Sequence, residues 1–341
     1  MASNLKISSR YLSFLILLTI WLQGSLQAVC QSVPADSLNR AMWFWDTEQM
    51  FNSAIGVDQV LDFASEHGVD HLFVQILTEI SNRGDTQLRD ASAMRAFIRS
   101  ATKRGIKIHA LDGAADFALA SKHDAVLDQV RAVLDFNEAS EASERFHAVH
   151  MDVEPYLLDE WRVGGASQQK VMESFLEMNR KIIDLIAERS EVLDYGVDIA
   201  SWFDAQNREG EYDFVVDYEG RRTDLATHLI GMVDNIVILA YRNKAIGAGS
   251  TFDISLGELK TADREQAATI FIAFETIRPD GDGIPENITF GHLSHEALND
   301  AIDEVVAVAS AYDSFQGIAI HHYKSFKELV EVTGVGRAES P

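Results

Sequence analysis

His150, Asp152 and Glu154 recur at a spacing of two within His147-Ala-Val-His-Met-Asp-Val-Glu-Pro-Tyr156. Alternate residues of a strand share a face, so these three point one way and Val149, Met151 and Val153 the other. Ionisable groups on one face of an apolar strand are costly to bury unless paired, and neighbouring carboxyls are a common basis for acid–base chemistry. Asp152 and Glu154 approach from the same side, so they are poorly placed as two acids acting across one bond. Asp152 is better cast as the like charge that raises the Glu154 pKa and keeps Glu154 protonated as a proton donor. A second carboxyl must then come from another wall, and Glu275 is the best placed, with Tyr241 and Arg242 expected to hold it ionised. His109, Asp112, His150, Asp152, Glu154, His321 and His322 are also metal-ligand types. No His-x-His marks the first strand and no Lys ends a strand as a bridging ligand, so no metal or other cofactor is expected.

These residues need a frame, and the chain supplies a repetitive one. Strand patterns occur at Ala41–Trp45, His71–Ile76, Lys107–Asp112, His147–Val153, Tyr195–Ser201, Asn235–Tyr241, Thr269–Phe274 and Gln316–His321, each short and rich in Val, Ile, Phe or Ala. Periodic helical segments lie between them, among them Val57–His67, Ala91–Arg104, Gln168–Leu193 and Ser294–Tyr312. Gly68-Val-Asp, Gly105-Ile-Lys and Gly196-Val-Asp read as one αβ turn used repeatedly, with glycine taking the left-handed position after a helix. Eight β/α cycles without an internal linker predict a single (β/α)8 TIM barrel of the α/β class over residues 40–335. A doubly wound open sheet is the alternative, but no Gly-rich phosphate loop follows the first strand.

In such a barrel, chemistry belongs at the C-terminal ends of the strands. There the sequence places Trp43, Trp45 and Asp46, then Gln75, Asp112, Asp152, Glu154 and Tyr156, then Trp202, Tyr241 and Arg242, Glu275, and finally His322 and Tyr323. Of the adjacent pair His321 and His322, only one can point inward. Strand starts carry no such mixture of acids and aromatics. Aromatic faces that pack on sugar C–H surfaces, with charged acceptors for hydroxyls, suit a carbohydrate partner. Trp43, Trp45, Asp46, Gln75, Asp112, His150, Tyr156, Trp202, Arg242, His322 and Tyr323 are therefore the expected substrate contacts. Glu154, Glu275, Asp152 and Tyr241 are the expected catalytic set.

Composition narrows the partners further. The 341 residues include 53 acidic and 29 basic side chains, a formal net charge of −24. This balance argues against nucleic-acid binding and against stable association with anionic membranes. Lys6 and Arg10, followed by the apolar run Tyr11–Trp21 and small residues near Ala28, read as an export signal over residues 1–30. A linker at 31–39 follows it, and a disordered tail is expected at 336–341. The apolar run is short for a membrane span. Ordinary cleavage near Ala28 or Cys30 is expected, with lipid anchoring at Cys30 the lesser alternative. Cleavage would take the net charge to about −26, since residues 1–30 hold two cations and no acid. Cys30 is the only cysteine, so the exported chain forms no internal disulfide and has no thiol nucleophile. A secreted or periplasmic monomer is expected.

With these residues stated, the chain resembles secreted (β/α)8 glycoside hydrolases in two ways. The chitinase-type family carries Asp-Gly-x-Asp-x-Asp-x-Glu on its fourth strand, and His147-Ala-Val-His150-Met-Asp152-Val-Glu154 is similar to it, with histidines for the first two acids. Leu239-Ala-Tyr241 falls at that family's Met-x-Tyr position, while His321-His322-Tyr323 replaces its last-strand tryptophan. Glu154-Pro155 and Glu275 are similar to the retaining clan, in which an Asn-Glu-Pro glutamate on strand four is the acid/base and a strand-seven glutamate the nucleophile. Val153 stands where that Asn would be. Both resemblances imply a glycoside hydrolase with Glu154 as general acid/base. They divide on whether Glu275 attacks, or whether Asp152 and Tyr241 assist a reacting group of the substrate. A similarity to uncharacterised secreted barrel proteins implies no substrate. The alternatives are a non-catalytic carbohydrate-binding barrel and a metal-dependent barrel hydrolase.

Overall fold

The computed structural model describes residues 38–189, 193–279 and 283–335. The expected signal, most of the linker and the C-terminal tail lie outside them. Eight parallel strands close into a barrel: β1 (Asn39–Phe44), β2 (His71–Gln75), β3 (Lys107–Asp112), β4 (Ala148–Met151), β5 (Asp194–Ala200), β6 (Asn235–Leu239), β7 (Thr269–Glu275) and β8 (Phe315–His321). Each pairs with its neighbours in sequence, and β8 closes on β1 with Asn39 opposite Gly317. This is the single (β/α)8 barrel that the strand–helix alternation predicts.

The alternation is physical. Outward residues such as Met42, Phe44, Val149, Met151 and Ile272 join the helices in one large apolar layer. The helices face it with residues at helical spacing, for example Met94, Phe97, Ile98 and Ala101 on Ala91–Thr102. Inward residues form a separate, smaller core of Ala41, Trp43, Phe73, Leu111, Val237, Phe271, Ala273 and Ala319. Four of its eight members are large and three are alanines, which leaves room inside the barrel for polar side chains.

Gly68 and Gly105 do take left-handed conformations, at φ 66° and 75°. Gly196 does not. It lies inside β5, where a Cβ would fall 2.0 Å from Asn235 Oδ1 and 2.7 Å from His150 Nδ1. Its role is close approach inside the barrel rather than a turn, which corrects the expectation for that glycine.

Two short hairpins interrupt the cycles, Thr78–Ile80 with Thr86–Leu88 and Val215–Tyr218 with Arg221–Asp224. Among the described residues, no helix is long and apolar enough to cross a membrane.

Candidate active site

β4 ends at Met151, but its ladder continues for one step, since Asp152 N donates to the Asp112 carbonyl at 2.9 Å. The inward register therefore runs His150, Asp152, Glu154, with Met151 and Val153 buried in the outer layer. These groups meet a residue that no sequence motif marks. Asp198, in the middle of β5, is 2% exposed. Its Oδ1 receives His150 Nε2 at 2.7 Å and its Oδ2 receives Trp43 Nε1 at 3.0 Å. Asp152 hydrogen-bonds it as well. The His150 ring stacks on Phe73, 4.1 Å between centroids and 7° between planes, which fixes its orientation.

Burial dominates the electrostatics. It pushes Asp152 well above the carboxylate range, and the charges of Asp198 and Glu154 add to the push. Burial raises Asp198 too, opposed by its bonds to Trp43 and Asp152. It also lowers His150 to about 4, so this ring is neutral near pH 7. Burial thus drives both Asp152 and Asp198 toward their protonated forms, with two neighbouring carboxyls adding to the push on Asp152 and two hydrogen bonds opposing it on Asp198.

Glu154 is half-buried, and the Tyr156 hydroxyl donates to its Oε2. Tyr156 leans edge-on against Trp202, 5.1 Å between centroids, and Trp202 packs against Trp161, Phe203 and Phe214. Trp202 is 36% exposed, whereas Trp161 is buried beneath it. Trp202 is therefore a held aromatic face at the mouth, close to Glu154 through Tyr156.

Glu275 ends β7 and is 5% exposed. Its Oε1 accepts from Thr276 N and Ile277 N, both at 2.7 Å, and its Oε2 faces His321 Nδ1 at 2.9 Å. Burial alone would lower His321. The hydrogen bond and charge of Glu275, with Asp152 and Asp198, outweigh it, so His321 shifts up. Arg242 was expected to support Glu275, but its guanidinium donates to the Tyr241 carbonyl at 2.6 Å. Two backbone N–H groups and His321 hold the carboxylate instead. Tyr241 is half-buried beside the acids, and burial of its hydroxyl followed by the charges of Glu275, Asp152, Asp198 and Glu154 raises it. Its ring lies 6.0 Å from that of His321.

Several expected substrate contacts lie elsewhere. Trp43 and His150 are fully buried, so they meet the mouth through Asp198, and Trp43 also packs edge-on against His321. Tyr323 packs edge-on against Phe44 and Phe63 in the outer layer. With Asp46 it lines a flank cleft of ≈ 390 Å³ beside Lys324 and Lys327, which shares no residue with the acid network. The inward member of the histidine pair is His321, and the peptide bond joining it to His322 is cis. His322 is half-buried, and burial followed by His321 lowers it to about 4. Asp112 bends back, its Oδ1 accepting from Gly113 N at 2.8 Å, and burial pushes it up to about 6. Gln75 follows His71 and Phe73 in the inward register of β2, and Trp45 packs half-buried on the inner core. His109 sits one layer below His150, paired with His71 at 2.9 Å. Among the described residues, no three His, Cys, Asp or Glu side chains are grouped to hold a metal ion.

No protein-family model and no curated protein matches the chain. Solved structures do. The β-mannanase of the blue mussel Mytilus edulis aligns with TM-score 0.51 at 12% identity, over 87% of this chain and 91% of that one. A chitinase from Chromobacterium violaceum aligns with TM-score 0.49 at 13% identity, over 87% and 99%. A GH18 chitinase from Pseudoalteromonas aurantia aligns with TM-score 0.49 at 12% identity, over 85% and 98%. The chain has the (β/α)8 fold of the mussel glycoside hydrolase. At these identities the likeness concerns the fold alone.

Proposed function

We propose that the protein is an exported glycoside hydrolase whose proton donor is Glu154. The observation that carries this reading is the meeting of Glu154, Asp152, Tyr241 and Glu275 at the C-terminal mouth of the barrel, beside the exposed face of Trp202. Sugar rings pack on such aromatic faces while carboxyls address their oxygens. In the proposed reaction the Glu154 proton passes to the glycosidic oxygen as its bond to the anomeric carbon breaks. The alcohol leaves, and the Glu154 carboxylate later takes a proton from the water that completes hydrolysis.

Two groups compete to meet the anomeric carbon in between. In the first reading, the Glu275 carboxylate forms a covalent glycosyl intermediate that water then opens. A second reading is favoured by the hydrogen bonds on Glu275. Both of its oxygens are already engaged, by two N–H groups and His321, which lowers their nucleophilicity. A 2-acetamido oxygen of the substrate would then attack, with Asp152 and Tyr241 orienting the acetamido group.

The test is Glu154→Gln, assayed on a panel of aryl glycosides and oligosaccharides with and without 2-acetamido groups. Turnover is expected to fall by about 10³-fold or more with binding retained; unchanged turnover would remove Glu154 from the reaction. Cleavage confined to 2-acetamido sugars supports the assisted route, and cleavage of sugars lacking the group supports Glu275. Binding with no turnover in the wild type would leave a carbohydrate-binding barrel.

A further inference from the structure

Two carboxyls in hydrogen-bond contact need one proton between them, and the neighbours decide where it resides. Asp198 is met by two N–H donors from different walls, Trp43 Nε1 on β1 and His150 Nε2 on β4. Both need a lone pair to point at. The Nδ1 of His150 is buried without a partner among the described residues, so the neutral ring carries its hydrogen on Nε2, facing Asp198. Asp152 has the opposite surroundings. Its Oδ1 is buried with no donor, and the Asp198 carboxyl lies against it. A charge on Asp152 would thus sit beside two acids with no N–H donor to its buried oxygen, whereas a charge on Asp198 is held by two.

We propose that Asp198 is a positioning residue, fixed by Trp43 and His150 as the carboxylate that accepts the Asp152 proton, so that Asp152 stands beside Glu154 as a neutral acid. The fold supports this arrangement at a residue with no chemistry of its own. Gly196, two positions before Asp198, leaves the space that His150 Nδ1 and Asn235 Oδ1 occupy, and Phe73 clamps the imidazole plane from the other side. Histidine at 150 is then functional, since a carboxylate there would compete with Asp198 for charge while a neutral N–H donor reinforces it. The proposal rests on the reading of Glu154 as proton donor only for its catalytic consequence. The location of the proton is independent of it.

The first measurement needs no substrate. In protein labelled at aspartate ¹³Cγ, one carboxyl signal should keep the protonated shift at pH 8 and be absent in Asp152→Asn. In Asp198→Asn the amide donates to Asp152 where the carboxylate accepted, so the signal should move to the ionised shift at the same pH. A signal that survives Asp152→Asn, or that Asp198→Asn leaves in place, overturns the proposal. The second measurement is the pH profile of kcat on the substrate found with wild-type enzyme. Asp198→Asn should move one limb by about one pH unit, the size of a neighbouring-charge effect, whereas a merely structural role would lower kcat evenly across pH. If Asp198→Asn does not fold, Trp43→Phe and His150→Leu each remove one donor and should move the same limb. His150→Gln, which restores an N–H donor, should return it, and limbs unmoved by loss of either donor overturn the proposal. Should Glu154→Gln prove active, the proton-donor reading falls while the carboxyl signal still decides where the proton lies.

Discussion

The protein buries two groups of carboxylic acids, and they are built differently. At the barrel mouth, Asp198 and Glu275 receive donors from Trp43, His150, Thr276 N, Ile277 N and His321. Behind the loops that follow β5 and β6, Asp204, Asp224 and Glu258 gather, and among the described residues no cation figures in the shifts of Asp204 or Glu258. Only Asp224 is well served there, accepting from Thr227 N and Oγ1 and from Thr223 Oγ1 as the cap of helix Leu225–Ile230. Glu258 is fully buried, and neither of its oxygens has a partner among the described residues. Asp204 presses on Gly257, where a Cβ would fall 1.8 Å from its Oδ2. Burial, then Asp224, pushes Asp204 up to about 6, and burial, then Asp204, drives Glu258 well above its ordinary range. Burial alone therefore does not make a working acid. Donors oppose burial at the mouth, while Asp204 is shifted up to about 6 and Glu258, with neither oxygen partnered among the described residues, is driven further toward its neutral form.

The largest way to break this contrast is to disarm the mouth. Glu275→Gln keeps an oxygen for Thr276 N and Ile277 N but deprives His321 of its counter-charge. Turnover should fall by about 10²-fold, and stability by about 2–3 kcal/mol, below the cost of breaking a deeply buried pair because His321 is partly exposed. The pH dependence has a definite sign. His321 is raised by Glu275 in the folded state, so that pair contributes fully below the unfolded value of 6.5 and loses its contribution as pH rises through the raised one. Denaturation of wild type and variant should therefore diverge most near pH 5–6 and converge at alkaline pH. A constant gap would mean that His321 is not charged in the fold.

The other group should respond with the same sign over a lower pH window. An acid raised on folding makes the native state bind more protons, so stability drops as pH climbs from about 4 to about 6. Asp204→Asn should flatten this slope in thermal melts across that window. Glu258→Met removes two unpartnered oxygens and should stabilise the protein at pH 7 by about 1–2 kcal/mol. A loss of stability in Glu258→Met would show that the carboxyl has a partner in solution.

How much of this was legible follows the same division. The eight strands were readable because inward and outward residues alternate and helices separate them, and Lys107–Asp112 has the bounds that its pattern predicts. The placement of Glu154, Asp152 and Glu275 at the strand ends was readable because acids there stand out. Asp198 was not, because Gly196-Val-Asp198 looks like the turns at Gly68 and Gly105, where the polar residue begins a strand. The available signal was its place in mid-strand, between Val197 and Ile199, where an acid without a turn must have an interior partner. Trp43 and Tyr323 failed for the opposite reason. Position near a strand end cannot say how deep a side chain sits, and Trp43 lies one inward step below Trp45. Arg242 was assigned by charge, whereas backbone N–H groups, invisible to residue type, do that work at Glu275.

The exposed aromatic at the mouth is the next comparison to sharpen. Trp202→Ala removes a face supported by Tyr156 and Phe214 but leaves every acid in place. KM should rise by about 10-fold with kcat changed far less, the size expected of one aromatic contact. An equal fall in kcat at unchanged KM would move Trp202 from substrate binding to support of Glu154 through Tyr156.

The smallest expected effect separates the mouth from the flank. Tyr323 belongs to the outer layer, its ring held between Phe44 and Phe63 and its hydroxyl buried without a partner among the described residues. Burial, then Glu331 and Asp46, pushes that hydroxyl up to about 12, the mark of a group that gains nothing from ionising there. Tyr323→Phe deletes one unpaired oxygen and keeps both edge-on contacts, so stability should hold or rise by less than about 1 kcal/mol. Turnover should stay within about two-fold of wild type, roughly 0.4 kcal/mol of barrier. Tyr156→Phe, which removes the hydroxyl that donates to Glu154, should instead lower turnover while costing little stability. If the two substitutions lower turnover alike, position 323 communicates with the mouth, and the line drawn between the inner acid network and the outer apolar layer is misplaced.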